Sequence, residues 1–323
     1  MSMANQRKGL VAAGASLVWR RQSILWWVFA VNILLGALGT LPALHAAKRA
    51  LGHSLAGQQL VKGFDFGMFY ELLRLPEVSL FRFTEASYLF ACLFALFMLF
   101  VSGGILEAYR QDRRLNTGEF FAASGAFFWR FVRLTLLSLI PFAILGNAYL
   151  AVDKASDYLG DKAAADQVGF VIWLVGVIVL VLLMMFVRLW FDVAKVRAVV
   201  RNERSMLRNT LHSFDITRQQ LGTLLWMYLR ISLVAWITLA VAFLIWTKLP
   251  PPAIGATFIL LELVVLAQVG SRLWQMAAAT AWYQRQAEAT AGAVDLAAPK
   301  PTEVIEPEPQ LSLYPETELP PDD

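Results

Sequence analysis

The sequence predicts an all-α, polytopic membrane protein of about six transmembrane helices, accompanied by amphipathic helices that lie at the membrane interface. The first observation is composition. Of 323 residues, 58% are hydrophobic and 16% charged, whereas soluble domains carry about 25% charged residues. Mean hydropathy is +0.56. The second is segregation: residues 24–44, 86–106, 134–152 and 167–187 contain no Asp, Glu, Lys or Arg. Each run is close to the roughly 20 residues that a helix needs to cross a hydrocarbon layer. In lipid only a helix satisfies all its backbone groups within one segment. The third is that two further runs break the pattern by one charge each. Residues 221–247 hold Arg230, and residues 253–271 hold Glu262, with that helix running on to about residue 275.

The elements follow in order. Residues 1–23 form a cytoplasmic amphipathic segment, and the membrane domain occupies residues 24–285. The first span is read as a retained signal anchor, because its apolar run exceeds a signal-peptide core and a polar leader of over 20 residues precedes it. Lys and Arg collect on the cytoplasmic side of short loops. With the N-terminus inside, Arg110, Arg113, Arg114 and Arg130 fall in one inner segment and seven basic residues in the next, between positions 188 and 218. The outer loop 153–166 is net acidic, and the last outer turn is Pro250-Pro251-Pro252. Both termini are therefore expected in the cytoplasm of a bacterial inner membrane. Residues 45–85 are too apolar for a free loop and should hold short helices at the outer face. Residues 286–323 alternate Pro with Asp and Glu, a composition that cannot bury enough apolar surface to order.

The chain also repeats. Three amphipathic leads, 10–19, 120–129 and 206–214, each run into a basic residue and then a span. Thr135-Leu136-Leu137 and Thr223-Leu224-Leu225 each follow five residues after an Arg. Asn116 can cap the second lead, with Glu119 reciprocating. The pattern predicts a pseudo-threefold arrangement of helical hairpins.

No Walker A loop, dinucleotide fingerprint, zinc-binding His-Glu-x-x-His or Gly-x-Ser-x-Gly motif is present. No cofactor or metal is implied, and Cys92 with His45, His53 and His212 shows no ligand spacing. The pI near 9.2 is explained by topology and not by nucleic acid. The reading is non-enzymatic. Charges inside spans are costly and are the default candidates for a site. Glu262 and Arg230 are expected within about 5 Å of one another in depth, as an ion or substrate site or as a structural pair; alternatively, Arg230 snorkels inward. Asn32 and Asn147 are read as interhelical hydrogen-bond partners.

The densest motif is a cytoplasmic arm holding Arg188, Asp192, Lys195, Arg197, Arg201 and Arg204, with Val193, Val196, Val199 and Val200 as its apolar stripe. It is expected to meet anionic lipid headgroups or a protein partner. The run Asp192-x-Ala194-Lys195-Val196-x-x-Val199 followed by Glu203 and Arg218 resembles bacterial six-helix membrane families, among them the membrane domain that accompanies some glycerophosphodiester phosphodiesterases. The resemblance covers residues 185–235 and implies the fold. It does not imply phosphodiesterase activity, because no catalytic domain is present. The expected role is a scaffold or envelope-associated component; the alternative is a small-solute or lipid transporter with its site around Glu262.

Overall fold

Asn116 opens the longest helix of the chain. Its side-chain oxygen accepts from the Glu119 backbone N–H at 2.7 Å, while Glu119 accepts from the Asn116 N–H at 3.0 Å. This is the reciprocal capping that the sequence predicted. The computed structural model describes residues 9–51, 67, 80–162, 167–250 and 253–297. Those residues form α1 (Leu10–Arg20), α2 (Gln22–Leu51), α3 (Leu80–Gln111), α4 (Thr117–Lys162), α5 (Gln167–Val200), α6 (Met206–Gln219), α7 (Leu221–Trp246) and α8 (Ile254–Ala297). Six of these helices, α2, α3, α4, α5, α7 and α8, are long and apolar enough to cross a membrane. Among the described residues the chain is all-helical, and it is a multi-pass membrane protein.

Several boundaries differ from the sequence reading. The second lead, the third span and most of the expected acidic loop 153–166 are one helix, α4, which continues through Pro141 to Lys162. Asp153, Lys154, Asp157, Asp161 and Lys162 are charged but not helix-breaking, so polarity alone did not end the helix. Helix α8 likewise runs past residue 285 to Ala297, over an alanine-rich stretch with strong helix propensity. The chain divides into a unit Met1–Arg285 and a unit Gln286–Asp323. Expectations for residues 1–8, for most of 52–79 and for the Pro-rich stretch from 298 onward fall outside the described residues.

The first unit packs at one end. Leu17, Ile105, Tyr109, Phe131, Leu189, Leu224, Ile231 and Leu273 are each at most 2% exposed, and all belong to one apolar core. Away from this packed end burial falls off. Val181, Leu182, Leu183 and Met184 span more than a full turn of α5, yet all are exposed. Close approaches there join the helices of one hairpin: Gly39 meets Phe90, Gly160 meets Gly169, and Gly176 meets Val152.

The packed end shows how the repeat is built. Each unit is a lead, a span and a returning span: α1-α2-α3, then α4-α5, then α6-α7-α8. At the packed end each returning span packs on the lead that follows it, and α8 closes the ring on α1. Trp190 on α5 donates its indole N–H to the Thr210 carbonyl of α6 at 2.7 Å. Trp274 on α8 donates in the same way to Val11 of α1 at 2.7 Å. In the third pair Phe100 of α3 stacks on Phe121 of α4 at 6.1 Å. One turn on, each lead presents a small residue in a fully packed setting: Gly14, Ser124 and Ser213. The residues at matching positions on the returning spans are Ala278, Gly104 and Ala194. A methyl group on Gly14 would lie 2.8 Å from the Ala278 Cβ. The loops after α3 and α5 match too. Asp112 and Asn202 take φ of 48° and 50°, a left-handed conformation that short polar side chains tolerate. Each meets the arginine at the end of a lead: Arg20 pairs with Asp112 at 3.1 Å, and Arg130 donates to the Asn202 side-chain oxygen at 2.7 Å.

Candidate functional site

The polar centre of the packed end is Asp192. On α5, Arg188, Asp192 and Lys195 stand at helical spacing and so share one face. Apolar neighbours Leu189, Val193 and Val196 bury the helix on both sides, which leaves Asp192 only 6% exposed. Arg272 of α8 answers it with a two-pronged contact: Nη1 donates to Oδ2 at 2.6 Å and Nη2 to Oδ1 at 2.7 Å. Such fork-on-fork pairing is the strong form of a charge-assisted hydrogen bond. The Tyr228 hydroxyl of α7 donates to the same carboxylate at 3.3 Å. The pair thus ties α5 to α7 and α8, across the seam between the second and third units.

Beside it lies Gln275, 3% exposed. Its amide oxygen accepts from Arg188 Nη2 at 3.0 Å and from Arg272 Nη1 at 3.4 Å, while its amide nitrogen donates to Ser232 Oγ at 3.0 Å. These groups wall a cavity of about 280 Å³ between α5, α7 and α8, completed by Ala235, Trp236, Leu239, Gln268 and Ser271. Two guanidiniums face one carboxylate. Arg272 is neutralised by Asp192, whereas among the described residues Arg188 has no ion-pair partner. The cavity is therefore cationic on one side and apolar on the other.

A second charged cluster holds the α1–α3 seam. Arg21 is 7% exposed, lies 3.8 Å from Asp112 and donates to the Arg113 carbonyl. Burial draws its guanidinium below the ordinary value, and Asp112 opposes that shift; arginine remains cationic throughout.

The residues singled out from sequence separate. Arg188 and Asp192 belong to the polar centre. Lys195 is half-buried one turn further along α5. Arg197 turns toward α6, donating to the Asn209 side-chain oxygen at 3.0 Å and pairing with Glu203 at 3.4 Å. Only Arg201 and Arg204 are exposed as an arm should be. The expected Glu262–Arg230 pair is absent. Arg230 lies 16 residues before Trp246, and Glu262 eight residues after Ile254, so they differ in depth by about 12 Å at 1.5 Å per residue. Arg230 reaches the packed end instead, with its guanidinium 4.6 Å over the Trp226 ring, the snorkelling alternative. Glu262 is half-buried and in no ion pair. Asn147 is exposed and donates to the Ala143 carbonyl of its own helix at 2.8 Å, so it bridges no helices. Asn32 is half-buried, and no interhelical hydrogen bond involves it. Sequence reasoning missed Arg272, Tyr228 and Gln275. A signal was available: Arg188-Leu189-Trp190 recurs as Arg272-Leu273-Trp274, and the two tripeptides take matching places in the repeat.

No protein-family model, curated protein or solved structure matches this chain.

Proposed function

We propose that the chain is an integral protein of the bacterial inner membrane, with both termini in the cytoplasm, that acts without catalysis as a scaffold or envelope-associated component. The observation that carries this reading is the interlocked packed end. Three leads, three returning spans and the Asp192–Arg272 pair make a rigid platform, from which the exposed Arg201 and Arg204 project. Leu207 and Leu211 on α6 are 61% and 60% exposed beside them. Such a basic, partly apolar surface suits anionic lipid headgroups and a docked protein partner. The resemblance of residues 185–235 to the phosphodiesterase-associated membrane domain supports the membrane fold in this reading more than the role.

The alternative, a small-solute or lipid transporter around Glu262, rests on a half-buried carboxyl without an ion-pair partner. One experiment separates them. A photo-crosslinker at Leu207 in living cells should give a discrete protein adduct that is lost in Arg201→Glu/Arg204→Glu and retained in Glu262→Gln. Solute flux in proteoliposomes that disappears in Glu262→Gln, with no adduct at Leu207, would establish the transporter instead.

A further inference from the structure

We infer that the cavity between α5, α7 and α8 is a binding site for the phosphate group of an anionic membrane phospholipid, with Arg188 as its principal cation. Charge comes first. Of the five N–H donors of Arg188, one is used, on Gln275, and among the described residues the group forms no ion pair. Arg272 adds a second guanidinium already fixed in place by Asp192. Planar donor forks of this kind match the oxygens of a phosphate. The Ser232 hydroxyl and the Gln268 amide, on the same walls, add to the donors of the lining.

Depth comes second. Arg188 lies 21 residues from the start of α5 and Arg272 18 residues from the start of α8. At 1.5 Å per residue these are about 32 and 27 Å, roughly the thickness of the hydrocarbon layer. Both guanidiniums therefore sit where the layer ends and lipid phosphates begin. Size and polarity come third. At about 280 Å³ the cavity falls just below the roughly 300–1,000 Å³ of sites that enclose a whole drug-sized ligand. It accommodates a headgroup, and the remainder of a lipid must lie outside. Trp236, 68% exposed, and Leu239, 38% exposed, supply an apolar wall on the lipid side for an acyl chain.

A phosphate oxyanion could come from a lipid or from free phosphate; the apolar wall favours the lipid. The site is separate from partner docking, because Arg201 and Arg204 do not line it, so the scaffold reading can fail while this one stands. The test uses the full chain in a zwitterionic detergent, with phosphatidylglycerol, phosphatidylcholine and inorganic phosphate offered separately. Native mass spectrometry counts retained lipid, and intrinsic tryptophan fluorescence follows binding. Phosphatidylglycerol should be retained at one or more copies per chain, with one copy held at least tenfold more weakly in Arg188→Gln. Ser271→Asp, which places a resident carboxylate beside the arginines, should lose retention equally and serves if Arg188→Gln fails to accumulate. Equal retention in Arg188→Gln and Ser271→Asp, equal retention of phosphatidylcholine, or equal affinity for inorganic phosphate would each overturn the assignment.

Discussion

The two ends of the membrane unit are built from the same helices under different rules. At the packed end, small residues at matching positions let helices cross closely, and polar side chains find partners on neighbouring helices. In the far half of α5, only 6% of the most apolar stretch is buried, and Val181 through Met184 are open on every side. The difference teaches where specificity resides. Lipid tails are as apolar as leucine, so burying one leucine against another gains little within the membrane. Shape and polar complementarity have to hold the helices together, and both are concentrated at one end.

That comparison can be broken most forcefully at Asp192. Asp192→Asn leaves the half-buried Arg272 without a counter-charge and should cost about 3 kcal/mol, the low end for a broken buried pair, read as a large drop in the melting temperature of the detergent-solubilised chain. Asp192→Leu combined with Arg272→Met should recover most of the loss, as replaced buried pairs commonly do. A smaller effect is expected at the crossings. A methyl group on Gly104 would meet the Phe120 carbonyl oxygen at 2.8 Å, so Gly104→Ala should cost about 1–3 kcal/mol by overpacking. Asn116→Ala removes the helix cap and should cost about 1 kcal/mol, with the same melt as readout. Ser124→Ala and Ser213→Ala sharpen the contrast from the other direction. Both hydroxyls are buried without a hydrogen-bond partner, so their removal should be neutral or stabilising by about 1 kcal/mol; a loss above that would show that the hydroxyls are needed. Least of all, Leu183→Ala in the far half should shift stability by less than about 0.5 kcal/mol.

Much of this was legible in the sequence. Four uncharged runs and two runs with one charge each located the six long apolar helices among the described residues, because a helix satisfies its backbone groups within one segment in lipid. Trp19-Arg20 and Trp129-Arg130, at the ends of two leads, announced the repeat. The closing contact of α8 on α1 was hidden, since nothing local tells residue 274 that its neighbour is residue 11. The site was half visible. Asp192 stands out in the sequence as part of a basic arm, whereas Arg272, just beyond the run 253–271, carries no mark of its own apart from the recurring Arg-Leu-Trp. Arg230 and Glu262 drew attention by standing inside uncharged runs, yet depth along two offset helices separated them. Charge inside a span marks a candidate; register decides what it meets.

The bond from Trp274 to Val11 joins residues 263 positions apart, which sets an order on biosynthesis. Chains emerge N-terminus first, so α1 waits through the insertion of five other spans before its counterpart arrives. A polypeptide stopped short of residue 274 would insert its helices yet leave the Gly14 face uncovered, and long-range closure of this kind is slow. Completion of the ring is thus a built-in length check: only a chain translated through α8 can present a finished packed end.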